Sequence, residues 1–345
     1  MSAILVTVTY FAILLFIQHN RFLCADKAPE IQQIDEKTKK LASTVHVGMH
    51  INGFPVFSFD RGEFTIDATV WFKFPAATQA ISTLEEFTLY NGLIQETGTL
   101  LYRSTPIIKL LGEDVLVCYH MQTTFKIRPN HKYFPIGDHT LHILLLNKSA
   151  TAQELCFTTD TESLLSSENF IFENWFYRGK RTQAGYVKSE LHPSNPALEI
   201  SYPAVLFSID FENTGGKKVG SLYIPMLIIF LIGLLSLLIM IGDPLQLSLI
   251  TGAISSLALF RLVIDGTSPN TGYAMHVDMI FYTFMLLLFI ILGFQIYVAI
   301  TLNQIKTLTD VVQKKIKLSL EKMCDAVFIS NLVLLMILVT YSFYK

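Results

Sequence analysis

Two hydrophobic patterns divide this chain. Up to about Gly220, apolar residues come in short runs with polar neighbours, and Gly, Pro and Asn punctuate them. The runs "VHVGMHI", "GEFTIDATVWFKF", "DVLVCYHMQTTFKI", "HTLHILLL", "AGYVKSEL" and "LEISYPAVLFSIDF" are β-branched or aromatic and often alternate. Alternation is the period of a strand with one buried face. Strands at this spacing without a long amphipathic helix predict an all-β sandwich over about 44–213. A single short helix is predicted at "DEKTKKLA".

Beyond Gly220 the period is lost in long apolar runs. Four segments are each close to the roughly 20 residues a helix needs to cross a bilayer. They run about Leu222–Gly242, Pro244–Ile264, Met275–Leu302 and Ala326–Tyr344. A tight turn at Gly242-Asp243-Pro244 joins the first two, and the polar "DGTSPNTGY" joins the second and third. The 303–325 linker before the last segment carries Lys306, Lys314, Lys315, Lys317 and Lys322 against Asp310 and Glu321. Excess lysine in a short loop places that loop in the cytoplasm. The region before the first segment is then exported. An apolar stretch from Ala3 to Ile17 suits a leader peptide ending near Cys24-Ala25, although no Lys or Arg precedes it, and a retained signal-anchor is the alternative. The predicted organisation is a leader at 1–25, an exported domain at 26–220 and a membrane domain at 221–345.

The second segment is the least apolar of the four. On a helix, Ser248, Gly252, Ser255, Leu259, Leu262 and Gly266 share one face, and Leu249, Ile250, Ala253, Leu257, Phe260 and Ile264 the opposite one. The first stripe is small and polar in its inner half and apolar in its outer half. Such a stripe either lets helices pack closely or lines a water-filled path. Asp243 and Asp265 lie at its two ends, where rings of acid favour cations. Arg261 stands four residues before Asp265 and can pair with it.

Composition changes the picture little. The 345 residues are 51% hydrophobic and only 16% charged, a membrane-protein balance, and the net charge of −2 gives no reason to expect nucleic-acid binding. Cys118 and Cys156 fall in the exported domain and are left open as a disulfide or as two thiols. His139 and His142, three apart, face opposite sides of a strand and do not share a metal; with His131 they read as solvated loop histidines. Asn147 in "NKS" is a glycosylation acceptor where the host glycosylates. No enzyme, phosphate-loop, zinc or dinucleotide motif is present, and no cofactor is expected.

The order of these pieces resembles the pentameric ligand-gated ion channels, in particular members without the disulfide that names the Cys-loop receptors. "VHVGMHINGFPVFSFDRGEFTIDATVWFKF" resembles the first two strands, ending at the tryptophan of the complementary face, Trp71 here. "EEFTLYNG" resembles the first agonist-site loop with Tyr90 at its tyrosine, "ENWFYRG" the tryptophan-bearing strand with Tyr177, and "LEISY" the strand leaving the third loop with Tyr202. "YFPIGDHTLHILL" resembles the signature loop at the membrane boundary, and "YIPMLIIFLIG" the proline-marked first helix.

The resemblance covers nearly the whole mature chain. It implies a homopentamer in the plasma membrane, or the inner membrane of a bacterium. A small-molecule agonist would bind between ectodomains at Trp71, Tyr90, Tyr177 and Tyr202, and inorganic ions would pass a pore lined by Ser248, Gly252, Ser255, Leu259 and Leu262. Selectivity, with cations preferred, would rest on Asp243 and Asp265, although a proline at the inner end, Pro244 here, often accompanies anion selectivity. Coupling would rest on Asp60, Phe134, Pro135, Asp138 and Pro269. The alternative is a receptor that senses a ligand without conducting. Three departures from the family pattern stand out. Ile127 and Leu141 replace the paired cysteines; Gly137 stands at the usual buried Asp with Asp138 one residue late and no Arg in "FENTGG"; and Ser255 stands at the mid-pore leucine.

Overall fold

The computed structural model describes residues 22–33, 42–59, 61–76, 81–91, 97–166, 171–172, 174–190, 199–307 and 309–344. Two compact units emerge. One comprises Cys24–Asn130 and Asp138–Thr214, and the other comprises Met1–Leu23, His131–Gly137 and Gly215–Lys345.

The first unit is a β-sandwich. One sheet runs β4 (Thr99–Arg103), β6 (Asp114–Lys126), β2 (Glu63–Pro75), β1 (Ser43–Ser58) and β8 (Leu155–Thr158), with β5 (Ile107–Leu111) also on β6 and β9 (Leu164–Ser166) also on β1. The other runs β10 (Ile171–Phe172), β11 (Trp175–Glu190), β12 (Glu199–Asn213), β7 (His139–Asn147) and β3 (Phe87–Asn91). A one-turn helix, α1 (Ile81–Glu85), precedes β3. The alternation of β2 decides its faces. Phe64, Ile66, Ala68, Val70, Phe72 and Phe74 are buried, and residues between them point outward. They meet Leu141, Ile143 and Leu145 of β7 and Val205, Phe207, Ile209 and Phe211 of β12 in one core.

The outer face of the second sheet is buried as well. Residues 24–33 cross it as a strap: Gln32 pairs with Tyr186 of β11 through both backbone groups, at 3.0 and 2.9 Å. Ile31 packs with Leu144, Leu146, Val187, Ala204 and Leu206. Gly185 permits the crossing, because a Cβ there would lie 2.2 Å from the Gln32 carbonyl oxygen. Cys118 and Cys156 are both free thiols. They sit on β6 and β8, three strand spacings apart in the sheet, or about 14 Å, twice the Cα reach of a disulfide.

The second unit is helical. Its helices are α2 (Gly216–Leu235, continued by a 3-10 turn to Leu238), α3 (Pro244–Thr267), α4 (His276–Gln304) and α5 (Asp310–Tyr344). Among the described residues three stretches are long and apolar enough to cross a membrane: Gly216–Leu238, Pro244–Thr267 and His276–Gln304. This is therefore a transmembrane protein. The first helix starts six residues before the boundary expected at 222 and gives way at Leu238 to a turn before Asp243. The 303–325 stretch, expected as a linker, is helical from Asp310 onward, and α5 is continuous through 35 residues. Its Lys, Glu, Leu and Gln are good helix formers, which explains why the helix does not stop at the polar boundary. Leu320, Cys324, Phe328, Leu332 and Leu335 recur every three or four residues as its buried seam.

Candidate functional site

The best-defined candidate site is α3. Asp243 starts it as N-cap, its carboxylate accepting a 2.9 Å bond from the Leu245 N–H, with Pro244 in the first turn. Ile250, Ala253, Leu257 and Ile264 are buried against the neighbouring helices. Ser248, Gly252, Ser255, Leu259, Leu262 and Gly266 are all exposed in the single chain, as are Thr251 and Ser256. Leu259 is 67% and Leu262 70% exposed. The Thr251 hydroxyl donates to the Leu247 and Ser248 carbonyls of its own helix, at 2.7 and 3.1 Å. Of the three membrane-crossing stretches, α3 is the least covered by its own chain, 22% against 50% and 28%.

The two acids at the ends of α3 differ in surroundings. Asp265 pairs with Arg261 at 2.9 Å, so its charge is offset. The same guanidinium reaches Asp278 of α4 at 2.5 Å, and the other oxygen of Asp278 accepts the Met275 N–H at 2.7 Å. Asp278 is an anchor that the sequence reading missed. Its signal was an acid three residues after the start of a helix that follows a polar loop. Pro269 lies half-buried in the α3–α4 connection.

The 131–137 loop packs within the helical unit. Phe134 and Ile136 are buried with Leu222, Tyr223, Met275 and Val277. Phe134 and Pro135 are joined by a cis peptide bond, the Phe134 carbonyl accepts the Val277 N–H at 3.3 Å, and Lys218 stands 4.7 Å over the Phe134 ring. The His131 N–H donates to the Tyr273 hydroxyl at 2.8 Å. Asp138 belongs to the sandwich, where its carboxylate accepts the Asn213 N–H at 2.8 Å. The "FENTGG" stretch that lacks an arginine thus supplies a backbone donor in its place. Asp60 lies outside the described residues, as do residues 1–21 of the leader and most of the "DEKTKKLA" helix.

The four aromatic residues do not form one cage within a single chain. Trp71 lies on the outer face of the first sheet, across Gly48 and beside Cys118, with the His46 ring 5.5 Å away. Tyr90 and Tyr202 share the outer face of the second sheet beneath Ile31 of the strap. Tyr90 is 5% exposed, and Lys148 stands 5.1 Å from its ring. Tyr177 packs against the sandwich core together with Trp175. Tyr186, which sequence reasoning passed over, lies opposite Pro203 and next to Tyr202.

The histidines correct an expectation. His131, His139 and His142 are buried rather than solvated. His139 sits under the Phe59 ring, 4.6 Å between centroids, and its Nδ1 meets the Asp26 carboxylate at 2.8 Å. The strap buries this pair, and a distant segment cannot be foreseen from the local pattern. Among the described residues no cluster of His, Cys, Asp and Glu could hold a metal ion.

No model of a known protein family matches this chain, and no curated protein matches it either.

Proposed function

We propose that this chain is one subunit of a homopentameric ligand-gated ion channel whose pore is lined by α3. The observation that carries the reading is the exposed face of α3, with Ser248, Gly252 and Ser255 toward the Asp243 end and Leu259 and Leu262 toward the Asp265 end. Lipid contact favours neither serine nor glycine, whereas a water-filled path between helices does. One helix cannot enclose water, and a ring of identical subunits closes it. The ectodomain supports the same conclusion. β4 and β5 lie end to end along one edge of β6 with Leu100, Leu101, Ile107, Ile108, Leu110 and Leu111 exposed, an apolar edge that a neighbouring copy would cover.

In this account the sandwich is extracellular, the α2–α3 turn and the lysines of α5 are cytoplasmic, and α5 is the fourth span. Trp71 on one outer face and the half-buried Tyr202 on the other would approach across a subunit boundary, where an agonist opens the pore, with Tyr90 behind Tyr202 beneath the strap. Cation preference rests on Asp243, because Arg261 offsets Asp265. Five copies of Leu259 and of Leu262 form the closed gate by excluding water. The test is the oligomer's mass in detergent, with the detergent contribution subtracted. Five chains per particle support the assignment, and a stable monomer or dimer overturns it.

A further inference from the structure

At one end of the helical unit, apolar and cationic surfaces meet in a single cleft. α2 gives way to a turn after Leu238, α3 starts at Pro244 and α4 ends at Gln304. Between that turn, the last turns of α4 and the first turns of α5 lies a cleft of about 640 Å³. Leu247 of α3 and Ile296 and Ile300 of α4 line it, all three exposed in the single chain and all within membrane-crossing stretches. Lys306, just past the end of α4, and Lys317 of α5 line it as well, outside those stretches. Ten residues separate Ile296 from Lys306, about 15 Å of helix axis, so the wall passes from membrane depth to the water boundary.

The chain's own acids leave this charge standing. None of the lining residues is acidic, and Lys306 and Lys317 make no ion pair among the described residues. Asp310 and Glu321 of α5 are exposed and pair with neither lysine. Asp243 adjoins the cleft through Gly242, but its carboxylate accepts the Leu245 N–H of its own helix. A wall that is apolar at membrane depth and cationic at its rim fits an amphiphile with an anionic head. A soluble anion would gain nothing from Leu247, Ile296 and Ile300. A choline lipid would bring a cation of its own toward two lysines.

We propose that this cleft binds an anionic glycerophospholipid, with its phosphate at Lys306 and Lys317 and the upper part of an acyl chain along Leu247, Ile296 and Ile300. Such a lipid touches α3, α4 and α5 at once, so its binding stabilises the helical unit. This site needs only the membrane-crossing helices and exists whether or not the protein conducts.

The probe is dioleoyl phosphatidylglycerol, titrated into the full-length protein in detergent and counted by native mass spectrometry. One lipid per chain should bind saturably and raise the thermal midpoint. Dioleoyl phosphatidylcholine should bind at least tenfold more weakly, and glycerol 3-phosphate, the head without its tails, should not compete. Lys306→Gln with Lys317→Gln should weaken binding at least tenfold. Lys315→Gln with Lys322→Gln removes the same charge from exposed positions of α5 that do not line the cleft, and should bind as wild type does. Ile300→Trp fills the apolar part and should weaken binding with both lysines intact. Equal affinity for the two lipids, equal loss in the two lysine pairs, wild-type affinity in Lys306→Gln with Lys317→Gln or in Ile300→Trp, or competition by glycerol 3-phosphate overturns the proposal. Absence of saturable binding to the assembled protein overturns it too, and would show that a neighbouring chain covers the cleft.

Discussion

At the residue scale, Asp26 is held from three sides, by His139 and by the backbone N–H groups of Asn130 and Thr140. Burial alone would raise its pKa, but the interaction with His139 and the N–H groups of Asn130 and Thr140 together hold it below the ordinary carboxylate value. A carboxyl depressed in the fold contributes stability above its unfolded value, and that contribution disappears as pH falls through the folded value. The strap should therefore stay docked at neutral pH and loosen only below about pH 4. Asp26→Asn should cost about 1–3 kcal/mol at pH 7, because His139 loses its charged partner, and should flatten the acid limb below pH 4. Acid unfolding followed by tryptophan fluorescence measures both. An unchanged acid limb in the variant would show that Asp26 does not hold the strap. None of this was legible in the sequence. His139 and Asp26 lie 113 positions apart, and only the strap's crossing brings them together.

At the scale of elements, α3 and α4 are linked electrostatically at one end, and α2 packs closely against both in the middle of the bundle. Arg261 joins Asp265 of its own helix to the buried Asp278 of the next. Removing one member of a buried pair strands the other, at a cost of about 3 kcal/mol. Arg261→Gln should thus lower the thermal midpoint in detergent, and Arg261→Gln combined with Asp278→Asn should recover much of the loss. Equal destabilisation by the single and double variants would show that the pair carries no coupling. Near the centre, Gly233 of α2 lets α4 approach, since a Cβ there would lie 2.3 Å from the Leu288 Cδ2 atom and 3.2 Å from the Ala253 Cβ atom. Gly233→Val should cost about 1–3 kcal/mol by overpacking, read as a lower thermal midpoint. A midpoint equal to wild type would show that the helices separate freely there.

The long strands and helices were legible because each keeps one period over many residues. The end-to-end strands β4 and β5 were not. Their exposed residues include Leu100, Leu101, Ile107, Ile108, Leu110 and Leu111, so they show no alternation of buried and exposed positions. The start of α5 was missed for the opposite reason: its first turns are polar but helical, and apolar runs alone mark only the seam.

For the whole molecule, the exposed β4–β5 edge is the surface through which the proposed pentamer would associate. Leu101 is 57% and Ile108 50% exposed, more apolar surface than a sheet edge leaves to water without aggregating. Leu101→Lys with Ile108→Lys should shift the particle from five chains to fewer while leaving the circular dichroism of each chain unchanged. A variant that remains pentameric would place the ectodomain contact elsewhere. The exposed stripe of α3 was readable from sequence spacing, because helical geometry alone assigns Ser248, Gly252, Ser255, Leu259 and Leu262 to one face. The aromatics expected at a ligand site were less readable. A strand tyrosine looks the same whether it faces a neighbour, a strap or its own core, and here Tyr90 lies under the strap and Tyr177 against the core.

The central claim is that α3 lines a gated pore. Conductance of the purified protein in planar bilayers, without any added ligand, tests it most directly. Wild type should be nearly silent, and Leu259→Ser and Leu262→Ser should each leak, because a hydroxyl ring stays wet where a leucine ring does not. Reversal potentials of that leak in a salt gradient should follow the cation. Ser255→Leu should add a second constriction and lower the current. Silence of both leucine variants in correctly assembled pentamers would contradict the account and favour a receptor that senses its ligand without conducting.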